Sequence, residues 1–244
     1  MKGYYRILLA SAACVLASAA VDGEFYARGH EPGWGIRKAD TGITFSAMDG
    51  RIVTVAPPRP DGGELYRSTT EAKPFVLLIA DKVCTDTMSG TPYPKSVNVE
   101  IGAEKFAGCG GDPAGLLQRE WTVGKIGGKP AAKEPKVSLH FGTAAQFSGS
   151  ASCNRFFGPY TVGAEGLTIS ELGSSMMMCE QPFMDQESQF LGILRETRRF
   201  EIGQDGSLIL HAKDGRSIVA SRDRRNRIRV SGRVTRRRQI SAFH

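Results

Sequence analysis

Short apolar–polar alternations, each followed by a glycine-bearing turn, hold this chain to β-sheet. Val97, Val99 and Ile101 alternate with polar neighbours, and Val137, Leu139 and Phe141 alternate with Ser138 and His140. A period of two places one face of each strand in a core and the other outside it. Residues 43–48 and 51–55 flank Asp49-Gly50 and read as a hairpin with a two-residue turn. Residues 200–221 read as a three-strand meander, broken at Asp205-Gly206 and Asp214-Gly215. Residues 75–80 form an unbroken apolar run, the pattern of a strand buried on both faces. Helical spacing stands out only over residues 182–197. There Phe183, Phe190, Leu191 and Leu194 share one face, and Pro182 stands where a first turn tolerates proline. The predicted class is mainly β with one principal helix (α+β), as two tandem β-rich domains of antiparallel sheet or half-barrel type.

Length supports the division, since 244 residues with 41% hydrophobic content suit two modest cores. The turn-rich stretch Gly110-Gly111-Asp112-Pro113-Ala114-Gly115 marks the boundary, giving expected domains at 21–115 and 116–221. Ahead of them, Lys2 and Arg6 precede an apolar run over 7–20 that carries Ala17-Ser18-Ala19, the three-part pattern of a cleaved export signal. The run is shorter than the ~20 residues of a membrane-crossing helix, so no transmembrane helix is expected. The expected address is the periplasm or the exterior. Lipidation at Cys14 is a rival reading that Ser11, three places earlier, disfavours.

Four cysteines remain beyond the signal, Cys84, Cys109, Cys153 and Cys179, and they allow three connectivities. The sequential pairing is chosen because each bridge then closes a loop inside one domain. Each bridge would contribute about 3.5 kcal/mol in the loop-entropy account. A zinc site would need ligands at short spacing, and these cysteines stand far apart with no histidine beside them.

The segment Cys153-Asn154-Arg155-Phe156-Phe157-Gly158-Pro159-Tyr160, followed by Met176-Met177-Met178-Cys179, resembles the META-domain family of HslJ-like envelope and heat-shock proteins. The resemblance runs over residues 116–221, through Trp121, Ile126-Gly127, Ser148-Gly149 and the stretch around Leu208 and Leu210. Ser175 and Met178 depart from the usual threonine and small residue, and Met178 is expected to need local repacking. The resemblance implies a β-rich envelope protein linked to stress tolerance, without an established active site. In the first half, Glu31-Pro32-Gly33-Trp34 and the motif from Cys84 through Asp86, Met88, Ser89, Gly90 and Tyr93 to Pro94 resemble an uncharacterised exported bacterial domain often found beside a META domain. Gly33 stands where that domain usually has an aromatic residue.

Catalytic patterns are thin. His30 is read as a loop residue, His140 and His211 as strand residues, and His244 ends the sequence; none sits in a His-Glu-x-x-His motif. No Gly-x-Ser-x-Gly elbow occurs, and Ser148-Gly149-Ser150 reads as a turn between strands. The possible binding residues lie in the motifs: Asp86, Ser89, Gly90, Tyr93, Asn154, Arg155 and Tyr160. Asp86 before Ser-Gly suits backbone capping, and Asn154 suits pinning a local turn. Gly158 reads as backbone freedom and Tyr160 as a half-buried aromatic. Thioethers suit Cu(I), but three consecutive strand residues cannot converge on one ion, so Met176, Met177 and Met178 are expected to line a core edge. No phosphate-cradling loop, metal or cofactor is implied.

The charge of +7 is local. Residues 222–238 hold nine arginines and one aspartate, a patch of +8, so the other residues carry a net −1. A near-neutral body with a basic tail, Arg224, Arg225, Arg227, Arg229, Arg233, Arg236, Arg237 and Arg238, does not fit a nucleic-acid-binding face. Such a tail suits an anionic envelope surface or an acidic envelope protein, and its composition favours disorder. The functional expectation is a non-enzymatic envelope protein that binds or stabilises a partner. Alternatives are an inhibitor of a hydrolase such as lysozyme, inserting the loop from Ser89 to Tyr93, and a hydrolase resting on Asp86, Asn154 and His30.

Overall fold

The computed structural model describes residues 24–56, 65–70, 73–163 and 166–222. The residues read as an export signal, Cys14 among them, and the arginines from Arg224 to Arg238 lie outside the described residues. Within them, two antiparallel sheets each curl round a core of their own.

The first sheet takes β1 (Phe25–His30), β2 (Gly33–Ala39), β3 (Gly42–Ala47), β4 (Ile52–Val55), β5 (Leu65–Thr70) and β6 (Lys73–Ala80). A small hairpin follows, β7 (Cys84–Thr85) and β8 (Pro92–Tyr93), and then β9 (Lys95–Ile101) and β10 (Glu104–Gly110) return to the sheet. The strand order is β4-β3-β2-β1-β10-β9-β6-β5, and β4 and β5 meet, so the sheet nearly closes. Inside it Trp34 stacks on Phe45 at 6.0 Å and meets Phe106 edge-on, above Phe75, Leu77, Val97 and Val99. Val97, Val99 and Ile101 face inward as their alternation requires. Residues 75–80 depart from the sequence reading. Only Phe75, Leu77 and Ile79 are buried, while Leu78 is 41% exposed. On the outer face of β6 Val76, Leu78 and Ala80 are not fully buried, so among the described residues the apolar run has one buried side.

The turn between β3 and β4 also differs. The N–H of Ala47 donates to Arg51 O at 2.9 Å, enclosing three residues, and Gly50 takes φ +87°. That is the three-residue turn with a left-handed last position, which glycine occupies without steric cost.

A short helix, α1 (Ala114–Leu117), leads into β11 (Glu120–Ile126), β12 (Lys129–Pro130), β13 (Val137–Phe141), β14 (Gln146–Ala151), β15 (Arg155–Gly163), β16 (Gly166–Ile169) and β17 (Gly173–Ser174). After α2 (Gln181–Arg195) come β18 (Thr197–Ile202), β19 (Leu208–Ala212) and β20 (Ser217–Arg222), the expected meander. The path is β16-β15-β14-β13-β11-β20-β19-β18, with β12 on β11 and β17 on β15, and β16 lies against β18. Trp121 anchors the interior, its indole N–H donating to Leu117 O at 2.9 Å. A ladder of rings from Tyr160 through Phe141, Phe147 and Phe156 reaches Phe190 of α2. The helix buries Phe190, Leu191, Ile193 and Leu194, while Phe183 is half-buried. The sequence reading left out Ile193. Among the described residues no helix is long and apolar enough to cross a membrane.

Three local expectations fail here. Ser148-Gly149-Ser150 is strand interior, not a turn; a Cβ at Gly149 would lie 2.0 Å from Ser138 O, so close strand approach explains the glycine. Gly158 has no left-handed backbone; a Cβ there would lie 3.0 Å from Ser170 O. Met176, Met177 and Met178 are not core: they are 96%, 56% and 90% exposed. Residues 175–180 adopt no regular strand, so alternation does not turn any of them inward, and exposed Met178 needs no repacking. Mild hydrogen peroxide is expected to oxidise Met176 and Met178 before the half-buried Met184, as read by peptide mass spectrometry; equal rates would contradict this exposure.

Candidate functional site

β1 lays out the site by its alternation. Ala27 and Gly29 face the core, so Tyr26, Arg28 and His30 share the outer face. His30 is therefore the last residue of a strand, not part of a loop. Gly29 and Gly108 are required where β1 meets β10. A Cβ on Gly29 would lie 2.3 Å from Trp34 Nε1, and one on Gly108 would lie 2.1 Å from Arg28 O.

Across that outer face runs the segment carrying β7 and β8. It is tied down by the bridge from Cys84 to Cys109, the expected pairing, with Cα atoms 5.4 Å apart. Cys109 stands opposite Arg28 in register, so the bridge sets the segment beside Arg28 and His30.

Asp86 fits beneath it at 3% exposure. Its Oδ1 accepts the N–H groups of Met88 at 3.1 Å and Ser89 at 2.8 Å, and the Ser89 hydroxyl at 2.9 Å. Its Oδ2 lies 2.7 Å from His30 Nε2 and 3.5 Å from Arg28 Nε. The capping role is as expected, while the partnership with Arg28 was not foreseen. Burial pushes the carboxyl up, but the Ser89 N–H, the His30 ring and the Ser89 hydroxyl together outweigh it and bring it down to about 2. Gly90 completes the turn at φ +70°, donating its N–H to Asp86 O. Arg28 Nη2 donates to the Tyr93 hydroxyl at 2.9 Å, and the guanidinium lies 5.7 Å from the Tyr93 ring centre.

Two hollows open on this face. One of about 350 Å³ includes His30, Asp86, Ser96 and Asn98 in its walls. The other, about 560 Å³, lies between Tyr26 and Tyr93. Arg28 and Cys109 border both.

His30 against Asp86 has the geometry of a base with its orienting acid, two members of a nucleophilic triad. The third has no counterpart among the described residues. Ser89 donates to Asp86 and is not hydrogen-bonded to His30. Nor do three His, Cys, Asp or Glu side chains gather there as a metal site would need. What the arrangement can do is present a fixed guanidinium and two tyrosines to a ligand.

Asn154 belongs to a separate polar cluster in the second sheet's domain, with none of Asp86's partners. Its Oδ1 accepts the Ser175 hydroxyl at 2.8 Å and the Met177 N–H at 2.7 Å. Its Nδ2 donates to Met177 O at 3.2 Å and to Glu187 Oε1 at 3.0 Å, while its backbone N–H donates to Glu187 Oε2 at 2.8 Å. The sequence reading had it pinning a local turn. Instead it joins three distant segments, because the bridge between Cys153 and Cys179 brings the strand end, the methionine segment and α2 together. Arg155 points to solvent, and its backbone N–H donates to Ser175 Oγ. Tyr160 is fully buried, not half-buried; its hydroxyl donates to Gly142 O, and burial raises its pKa against a hydrogen bond with Gln118. The residues proposed for a hydrolase thus divide: His30 meets Asp86, and Asn154 does not join them. The proposed inhibitory loop is tucked in, with Thr91 and Pro92 buried. Arg28 was missed, although its place two residues before His30 on a strand was a usable signal.

Residues 114–225 match the family model of the META domain, so the similarity to that domain lies in the C-terminal half of the chain. No curated protein matches. An NMR structure of a protein from Burkholderia xenovorans is similar at 23% identity and a TM-score of 0.39, covering 46% of this chain and 87% of that one. Another NMR structure is similar at the same identity and TM-score, covering 46% of this chain and 94% of that one.

Proposed function

We propose that this chain is an exported envelope protein that acts by binding rather than by catalysis, with the outer face of its first sheet as the binding surface. One observation carries the reading: Asp86, the acid best placed to serve a reaction, has both oxygens occupied by protein partners. A carboxyl held at about 2 is also a poor proton carrier near neutral pH, where a general acid or base works best with a matched pKa. The META domain supports an envelope role, and two bridged cysteine pairs fit an oxidising compartment. The basic tail would add attraction to anionic envelope surfaces, in keeping with a part in stress tolerance.

Cell fractionation and turnover assays test this directly. The tagged chain is expected in the periplasm or medium, without free thiols, and inert toward peptidoglycan and small ester substrates. Turnover of either substrate that disappears in Asp86→Asn would overturn the binding role.

A further inference from the structure

We propose that the 560 Å³ cleft on the outer face of β1 and β2 binds an acidic saccharide, a sugar ring bearing a carboxylate. The proposal rests on the reading of the chain as a binding protein and gives that surface a ligand class.

Gly35 is the starting observation. It lies in mid-strand in β2, on the outer face, directly opposite Arg28 on one side and Ser46 on the other. Its φ is not left-handed, and a Cβ added there would come no closer than 3.4 Å to Ser46 Oγ. Unlike Gly29 and Gly108, it is not demanded by packing. A glycine inside a strand weakens the strand and leaves a gap, and one use of such a gap is close approach by a ligand. Gly35 lines the larger cleft, whose volume suits a small molecule.

The walls define the chemistry. Arg28 is held in place by Tyr93 and Asp86 through Nη2 and Nε, and among the described residues Nη1 has no hydrogen-bond partner. Arg37, opposite Tyr26 in register, also lines the cleft; Glu24 holds it through Nε and Nη2, and Tyr26 hydrogen-bonds it as well. Arg28 and Arg37 are diagonal neighbours across the strand pair, a spacing of about 7–8 Å, which two carboxylate-bearing rings or one ring with its substituent can span. Arg28 Nη1 can give a charge-assisted hydrogen bond to a carboxylate oxygen, and holding the guanidinium in advance reduces the ordering cost of binding. Tyr26, 55% exposed, and Tyr93 offer ring faces for the apolar side of a sugar, while Ser46 supplies a hydroxyl partner.

Calorimetric titration of the mature protein with trigalacturonate, maltotriose and AMP tests the assignment. Trigalacturonate is expected to bind, and maltotriose about tenfold or more weaker, the worth of one charge-assisted contact. Arg28→Gln should weaken trigalacturonate by about tenfold as well. Because Arg28 also pairs with Asp86, a second variant is needed: Gly35→Trp fills the cleft from a strand position that tolerates it, and should abolish binding with a melting temperature no lower than that of the wild type. No binding of trigalacturonate, equal binding of maltotriose, preference for AMP, or undiminished binding by Gly35→Trp would each overturn the proposal. Failure in these titrations with turnover assays still blank removes only the ligand class, whereas turnover removes the binding role itself.

Discussion

Replacing Asn154 with alanine is expected to lower the unfolding free energy by about 3–4 kcal/mol, the largest loss foreseen for one polar side chain in this protein. The substitution deletes four side-chain hydrogen bonds at a residue only 5% exposed. Ser175 and Glu187 then lose their shared partner, and the Met177 backbone loses both its donor and its acceptor contact. Asn154→Asp is the informative companion. It keeps the acceptor for Ser175 and Met177 but sets a second carboxylate against Glu187, so it should be destabilised at pH 7 and recover as the pH falls toward 4. Urea unfolding followed by tryptophan fluorescence measures both. A loss below about 1 kcal/mol for the alanine variant would show that the cluster is replaceable by water.

Asp86 gives the second large effect, through pH. Its carboxyl has a lower pKa in the folded chain, about 2, than the 3.8 of a free aspartate. A group depressed by folding adds stability that is complete above its unfolded pKa and is lost as pH falls through its folded one. The contribution is about 2 kcal/mol, present above pH 5 and removed between about pH 4 and pH 2. Asp86→Asn cannot titrate, so the stability gap between wild type and variant should narrow by that amount over the same window. Denaturant midpoints at pH 6, 4, 3 and 2 provide the readout. A gap independent of pH would mean that the carboxylate is not favoured by its neighbours.

Much of the architecture was legible because it is written in local periodicity. Alternation at Val97 and Val137, the Asp-Gly breaks of the meander and the helical face ending at Leu194 each depend on residues a few positions apart. The misreadings share a cause. The apolar run of β6, the methionines at 176–178 and Tyr160 were judged by hydrophobicity alone, and their burial depended on what lay across from them. Leu78 and Met176 stay exposed, while Tyr160 packs against Phe141. Glycines were misread similarly: Gly149 and Gly158 answer to neighbouring backbone, not to their own dihedral angles.

By itself the sequence determined the β-rich class and the long helix, since strand and helix periods are properties of short stretches of chain, while it left three cysteine connectivities from which the structure shows the sequential one. It also marked Asp86 as a capping residue, whose partners Met88 and Ser89 stand two and three places away. Only the tertiary structure decided that Asp86 meets His30 and Arg28, more than fifty positions distant, and that Asn154 instead meets Glu187 of α2. Those meetings depend on which strands pair, in what register, and where the bridge from Cys84 reaches the sheet. Pairing and register are settled by the summed burial of a whole sheet, and no short segment carries that sum.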